Sequence, residues 1–292
     1  MAYGVGWLVR PLGRAGEASV RPYMPLADLT GRTYGPITYR LGREKIADFV
    51  EATHESPDRW SESAPPAFAG ALLFAVAPAL LKDPDLASHS HGVIHGDQSF
   101  TWHRALTYGL DTTVLGTVTK LRERGGVAFL GFGLSVTDEE GVIIEGSSTF
   151  VLSGEQSAAS GHAEMPEPAP DEVDGGRVEG AELLRSASRR DLVKYAGASR
   201  DYNPLHWDHQ TAVDAGLPGV VVHGLLQSAW MLTAVTPERG DHPIRSARFR
   251  YRNPLRPGAT VGIVTSESDD SVDVTVTDGT TEFVTARIEP TS

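Results

Sequence analysis

The chain has 292 residues, a formal net charge of −12 and no cysteine. The missing cysteine excludes a disulfide framework and a thiol nucleophile, and the acidic balance argues against nonspecific nucleic-acid binding, which depends on neutralising phosphates with lysine and arginine. The length favours two domains of ordinary size, and no apolar run approaches the roughly 18 residues of a membrane span, so a cytoplasmic protein is expected.

Residues 1–30 read as an N-terminal extension. Trp7, Leu8 and Val9 are apolar, but Gly4, Gly6, Gly13 and Gly16 interrupt any element, and the apolar run is too short for a secretory signal. The next segment, 31–152, reads as a first domain. Arg43, Ile46, Phe49 and Ala52 have helical spacing, and Ala67 to Leu81 is an uncharged Ala- and Leu-rich stretch suited to a buried helix. His89, His91 and His95 have the order H-x-H-x-x-x-H, which a zinc or iron ion could use. No Asp or Glu lies between them, so the stretch is read as a loop leading into a strand. Strand-like runs follow at Thr112 to Val118, Val127 to Val136 and Ile143 to Leu152, with a hairpin turn at Asp138-Glu139-Glu140-Gly141.

Residues 153–179 are rich in Ala, Gly, Pro, Ser and acidic side chains without apolar periodicity, and read as an exposed linker. A second domain, 180–292, then opens with a helix from Arg189 to Ala198, whose apolar members are Leu192, Val193, Tyr195, Ala196 and Ala198. Pro204 must end that helix and pushes Asn203 toward extended dihedrals, leaving Asp201, Tyr202 and Asn203 on a turn. Asp208 is a good N-cap for a short helix reaching about Ala215, closed by Gly216 and Pro218. The apolar run Val220-Val221-Val222 leads into His223-Gly224-Leu225-Leu226, and β-rich runs at Val272 to Val276 and Thr281 to Ile288 flank an Asp278-Gly279 turn.

The turn holds chemistry. Asp201 accepts hydrogen bonds when ionised, His206 donates or accepts near neutral pH, and Asn203 does both without changing charge. A water shared by such an acid and base is what addition of water across a double bond requires. The plain alternative is an ordinary Asx turn beside a capping histidine. Gly224, placed to open a helix, offers an unpaired N–H at the positive end of the dipole.

Tyr195, Ala198, Ser199, Asp201, Asn203, Pro204, Leu205, His206 and Ala212 resemble the hydratase motif of the MaoC-like family, which includes the R-specific enoyl-CoA hydratases and 3-hydroxyacyl thioester dehydratases. Val222 to Leu226 resembles the family's helix-opening H-G segment. Arg200 departs from the pattern, standing where the family usually has glycine. The resemblance implies that Asp201 and His206 activate the water, Asn203 orients them and the Gly224 N–H binds the thioester oxygen. Ser228, His223 and Tyr195 are candidate substrate-binding residues. It further implies an α+β double hot-dog fold, two antiparallel sheets each wrapped around a long helix, with an activity in fatty-acid or polyketide-type metabolism.

An internal repeat agrees with that fold. Phe100, Trp102, Leu106 and Gly109 align with Phe249, Tyr251, Leu255 and Gly258 at an offset of 149, and Ile46, Phe49 and Ala52 align with Leu192, Tyr195 and Ala198 at 146. Continued, the second register sets Glu55 opposite Asp201, Pro57 opposite Asn203 and Trp60 opposite His206, so the chemistry is expected in the second half alone. By resemblance, the first half would shape the tunnel for the acyl tail; the bare alternative is a structural partner. Arg248, Arg250 and Arg252 alternate on one strand face and suit the phosphates of coenzyme A or of an acyl carrier protein. The expected reaction is reversible hydration of trans-2-enoyl thioesters with no cofactor or metal, without nucleic-acid or membrane partners, in a chain for which a homodimer is the modest preference over a monomer. A hot-dog thioesterase and a non-catalytic acyl-thioester-binding accessory protein are the other readings.

Overall fold

A computed structural model describes residues 26–86, 92–124, 127–153, 177–236 and 242–291. Among these residues no helix is long and apolar enough to cross a membrane. The expected linker and the glycine-rich start fall largely outside them, as do His89 and His91.

The first half runs β1 (Thr33–Arg40), α1 (Arg43–Ala52), α2 (Ala69–Leu81), β2 (Gly92–Trp102), β3 (Asp111–Arg124), β4 (Val127–Asp138) and β5 (Gly141–Ser153). The second runs β6 (Leu183–Arg185), α3 (Arg189–Ser199), α4 (His209–Asp214), α5 (Gly224–Val235), β7 (Ile244–Tyr251), β8 (Val261–Ser268), β9 (Ser271–Thr277) and β10 (Glu282–Pro290). The ten strands of the described residues form one antiparallel sheet in the order β1-β3-β4-β5-β2-β7-β10-β9-β8-β6, five neighbouring strands from each half. This is the double hot-dog architecture.

The two halves meet at β2 and β7, and their register explains the sequence repeat. Asp97 pairs with Arg250 and Thr101 with Ser246, while Ser99 faces Arg248. Shifting every position by 149 exchanges the first two pairs and maps the third onto itself. The offset read from the sequence is therefore a two-fold axis passing between Ser99 and Arg248.

Each sheet half curls over one helix. In α2 only Ala75, Pro78, Ala79 and Leu81 are not fully buried, and α5 buries Leu225, Leu226, Ala229, Trp230, Met231, Leu232 and Val235. A helix apolar on every side has no stable place except inside such a wrap. The α2 helix begins two residues later than expected, because Pro66 to Phe68 forms a tight 3-10 turn first. Val193, expected on the apolar face of α3, is 62% exposed instead; helical rotation carries it away from the buried Leu192 and Tyr195. The edge strands β1 and β6 carry no clear sequence signal, β6 because it has only three residues and β1 because its register shifts between Tyr34 and Ile37, around Gly35 and Pro36.

Candidate active site

The site grows from the end of α3. Ser188 caps that helix in a reciprocal box with Asp191, and the C-cap is Arg200 in the left-handed region at φ 66°. The Ser199 hydroxyl donates to the Tyr195 carbonyl at 2.7 Å and accepts the Asp201 N–H at 3.2 Å, which anchors the turn as it leaves the helix. Left-handed backbone costs an L-residue about 1 kcal/mol or more, so Arg200→Gly should raise thermal stability by about that amount, measured as a higher melting temperature.

Two Asx contacts shape the turn beyond Arg200. Asp201 Oδ1 accepts the Asn203 N–H at 3.3 Å, and Asn203 Oδ1 accepts the Leu205 N–H at 3.3 Å. The other end of the Asn203 amide donates to the carbonyl of Val93 on β2 at 3.2 Å. Asn203 thus clips this turn to the first half of the molecule. His206 lies on a 3-10 turn, and its Nδ1–H donates to the Val221 carbonyl at 2.8 Å. That bond leaves Nε2 as the free nitrogen, 4.0 Å from Asp201 Oδ2. The separation is too long for a direct hydrogen bond and suits one bridging water.

Burial pushes the Asp201 carboxyl above the ordinary carboxylate range, opposed by the nearby His206 and the Asn203 N–H. His223 lies beneath the pair. Its ring stacks on His206 at 3.7 Å and 23°, and its Nε2–H donates to the Asp201 carbonyl at 3.2 Å. Burial drives its pKa well below the usual value, and the ring is fully buried beneath Asp201 and His206, outside the cavity lining.

Gly224 opens α5, and its N–H has no acceptor within the helix. A Cβ at this position would sit 2.8 Å from Cε1 of Tyr251, so glycine is required by space rather than by backbone angle. Tyr251 is in turn fixed: its hydroxyl is 3.0 Å from Ser228 Oγ, which donates to the Gly224 carbonyl at 3.2 Å. Ser228 therefore stands behind the glycine instead of lining the cavity. Tyr195 is also withdrawn, fully buried between Phe49 and His223.

A cavity of about 440 Å³ joins Asp201, Asn203, His206 and Gly224 to Phe74 and Leu81 of α2 and to Val93 and His95 of β2. The first half thus builds one wall of the site. His95, expected in a loop, lies inside β2 and points inward. The β2–β5 register places His95 opposite Phe150 and Asp97 opposite Thr149, so Gly96 is the extra residue of a bulge. The bulge reverses side-chain parity and stacks His95 against Phe150 and Tyr251, at 4.9 and 5.0 Å. Its Nε2 is 3.1 Å from Gln98 Oε1, which also accepts the Ser148 hydroxyl, so Nε2 is the donor. Burial lowers its pKa to about 4 and keeps the ring neutral.

The two-fold axis has a second copy of this region, and it is closed. Trp102, Arg104, Ala105 and Leu106 occupy the positions of Tyr251, Asn253, Pro254 and Leu255 around a space of only about 10 Å³. Trp60, standing where His206 does, is buried and donates its indole N–H to Glu55 at 3.0 Å, whose other oxygen accepts the Thr233 hydroxyl at 2.9 Å. Glu55→Gln should accordingly leave turnover intact, read as the initial rate per chain, whereas an active second site would lose its share.

Arg248 and Arg250 share the outer face of β7, and Arg252 follows just past its end. Arg250 is held by Asp97 at 3.1 Å and Arg252 by Thr285 at 3.1 Å, and of the three only Arg252 reaches the cavity lining. Strand alternation turns Phe249 and Tyr251 inward and carries Arg248 and Arg250 to the outer face, while Arg252, just past the strand, stays at the cavity lining. Asp201, His206 and His223 form a potential three-ligand group, their ligand atoms within 4.8 Å of one another. One nitrogen of each imidazole is committed to a carbonyl, His206 Nδ1 to Val221 and His223 Nε2 to Asp201.

Comparisons with known proteins match both halves of the chain. A family model described as MaoC like domain matches residues 174–287, and one described as FAS1-like, dehydratase domain region, matches 28–145. A UPF0336 protein of Saccharopolyspora erythraea is 33% identical over 159 residues, covering 49% of this chain and 97% of the relative. The 3-hydroxyacyl-thioester dehydratase X of Mycobacterium tuberculosis is 26% identical over 262 residues, 89% of each chain. Among solved structures, HtdX of Mycobacterium tuberculosis superposes with a TM-score of 0.70 at 20% identity, covering 89% of this chain and 100% of that one. A MaoC-like dehydratase from Phytophthora capsici gives 0.68 at 19% identity, covering 91% and 96%.

Proposed function

Because the chain belongs to the MaoC-like dehydratase family, we propose that it is a hydro-lyase acting on acyl thioesters, interconverting trans-2-enoyl and (R)-3-hydroxyacyl forms. The observation that carries this reading is the 4.0 Å gap between Asp201 Oδ2 and His206 Nε2, facing the Gly224 N–H across one cavity. A water in the gap is oriented by His206 and gives a proton to Asp201 as its oxygen adds to C3. The electrons move to the thioester oxygen, where the Gly224 N–H stabilises the enolate. Asp201 then returns the proton to C2 on the same face, so both new bonds derive from one water and the enzyme is regenerated. The thioester already acidifies C2, and the reaction calls for no metal or organic cofactor. Coenzyme A or an acyl carrier protein carries the acyl group, as in fatty-acid metabolism.

The raised Asp201 pKa has a sign for both activity and stability. Addition needs the carboxylate, so the acid limb of kcat/KM for hydration should lie above the ordinary carboxylate range. A folded-state pKa above the unfolded one means the native chain holds the extra proton, so stability declines as pH rises from the unfolded value through the folded one. The reaction itself is tested with crotonyl-CoA: loss of the enoyl absorbance without release of thiol supports hydration, and thiol release with the chromophore intact refutes it.

A further inference from the structure

A second cavity, about 270 Å³, lies on the far side of the catalytic turn. It shares Phe74, Leu81, Val93, Asp201, Asn203 and Leu205 with the first cavity, but neither Gly224 nor His206 lines it. Resting on the hydratase reading, this gives the substrate a direction. The thioester carbonyl sits at Gly224 and C3 beside Asp201, so the carrier arm leaves through the larger cavity and the acyl tail runs on into the smaller one.

The near walls of that tail cavity are apolar, with Phe74, Pro78 and Leu81 all from α2. Its other lining includes two cations, Lys82 and Arg200. A hydrocarbon tail has no use for either. Both cap helix C-termini, Lys82 on α2 and Arg200 on α3, where positive charge is favoured. That accounts for a charge but not for an arginine in left-handed backbone, a conformation for which glycine is the low-energy residue. The Arg200 guanidinium lies over the Tyr39 ring, 5.4 Å from its centroid, which holds it at the cavity. Among the described residues no carboxylate pairs with Arg200 or Lys82, in a chain of net charge −12.

We propose that Arg200 and Lys82 form an anion subsite at the end of the acyl cavity, selecting enoyl thioesters whose chain ends in a carboxylate. A phosphate of the carrier arm has the same chemistry, and the two sources are separable. Hydration kcat/KM is measured for trans-2-enoyl thioesters of equal length ending in methyl or carboxylate, each carried on CoA and on phosphate-free pantetheine. Wild type is expected to favour the carboxylate ending with both carriers. Arg200→Gln should reduce the carboxylate-to-methyl ratio about tenfold, the scale of one charge-assisted hydrogen bond at a partly screened site. Added salt should compress the wild-type ratio. Arg200→Gly, which relieves the backbone, should show the same loss of preference without loss of fold.

A ratio unchanged by these substitutions overturns the subsite, and so does a loss that follows the phosphate of the carrier whatever the tail. Equilibrium binding of the saturated carboxylate- and methyl-ended thioesters gives the same ratio without turnover. A wild-type protein that hydrates none of the substrates would therefore refute the hydratase reading, while the binding ratio still decides the subsite.

Discussion

Asp201→Asn should lower kcat for enoyl thioester hydration by about 100- to 10,000-fold, the range of a general base or acid lost from its transition state. The substitution is nearly isosteric, and the amide keeps an oxygen able to accept the Asn203 N–H that Oδ1 now accepts at 3.3 Å. The turn therefore survives and the loss reports proton transfer, not collapse. Stability should move the other way. The carboxyl is buried and its pKa raised by that burial, so replacing it with a neutral group removes a desolvation cost, and the melting temperature should rise near neutral pH. A variant both more stable and nearly inactive would identify a site held in a costly state for its chemistry. His206→Ala added to Asp201→Asn should cost little more, because the two groups act on one water.

Gly224→Ala should lower kcat by about 100- to 1,000-fold, the effect of losing one oxyanion donor. The added methyl carbon would lie 2.8 Å from Cε1 and 2.9 Å from Cδ1 of Tyr251, a separation that forces something to move. The Tyr251 ring is held through its hydroxyl by Ser228 and packed against His95, so displacement falls on the first turn of α5. Tyr251→Phe provides the control. It removes the hydroxyl bond to Ser228 and leaves the ring that crowds Gly224, so its effect should be the smaller of the two. The single-turnover rate of hydration separates the chemical step from product release in each variant.

Much of this site is legible in the sequence because its groups are close along the chain. Asp201, Asn203 and His206 lie within six residues, and Pro204 dictates that their backbone turns. Gly224 is legible as a helix opening. The offset of 149 is a symmetry axis in disguise, and the contrast of Trp60 with His206 marks the half whose cavity is closed. What local sequence cannot carry is contact between the halves. Val93 contributes a backbone carbonyl, which no residue type signals. His95 reaches the cavity only because Gly96 adds a residue to one strand and not to its neighbour. A glycine directly after a histidine in a strand-entry segment is the available sign of a bulge. Arg248 and Arg250 of β7 show the reverse case: their alternation is plain in the sequence, yet alternation alone does not say which face is inside, and the buried Phe249 decides it.

In the proposed reaction one water, held between Asp201 and His206, adds to C3 of an enoyl thioester. Incubating the protein with a trans-2-enoyl-CoA in oxygen-18 water and analysing the products by mass spectrometry tests it directly. Label is expected in the 3-hydroxyl group of an intact thioester, and is lost when Asp201 is replaced by asparagine. Label in a free carboxylate, or an unlabelled enoyl thioester recovered unchanged, would contradict it.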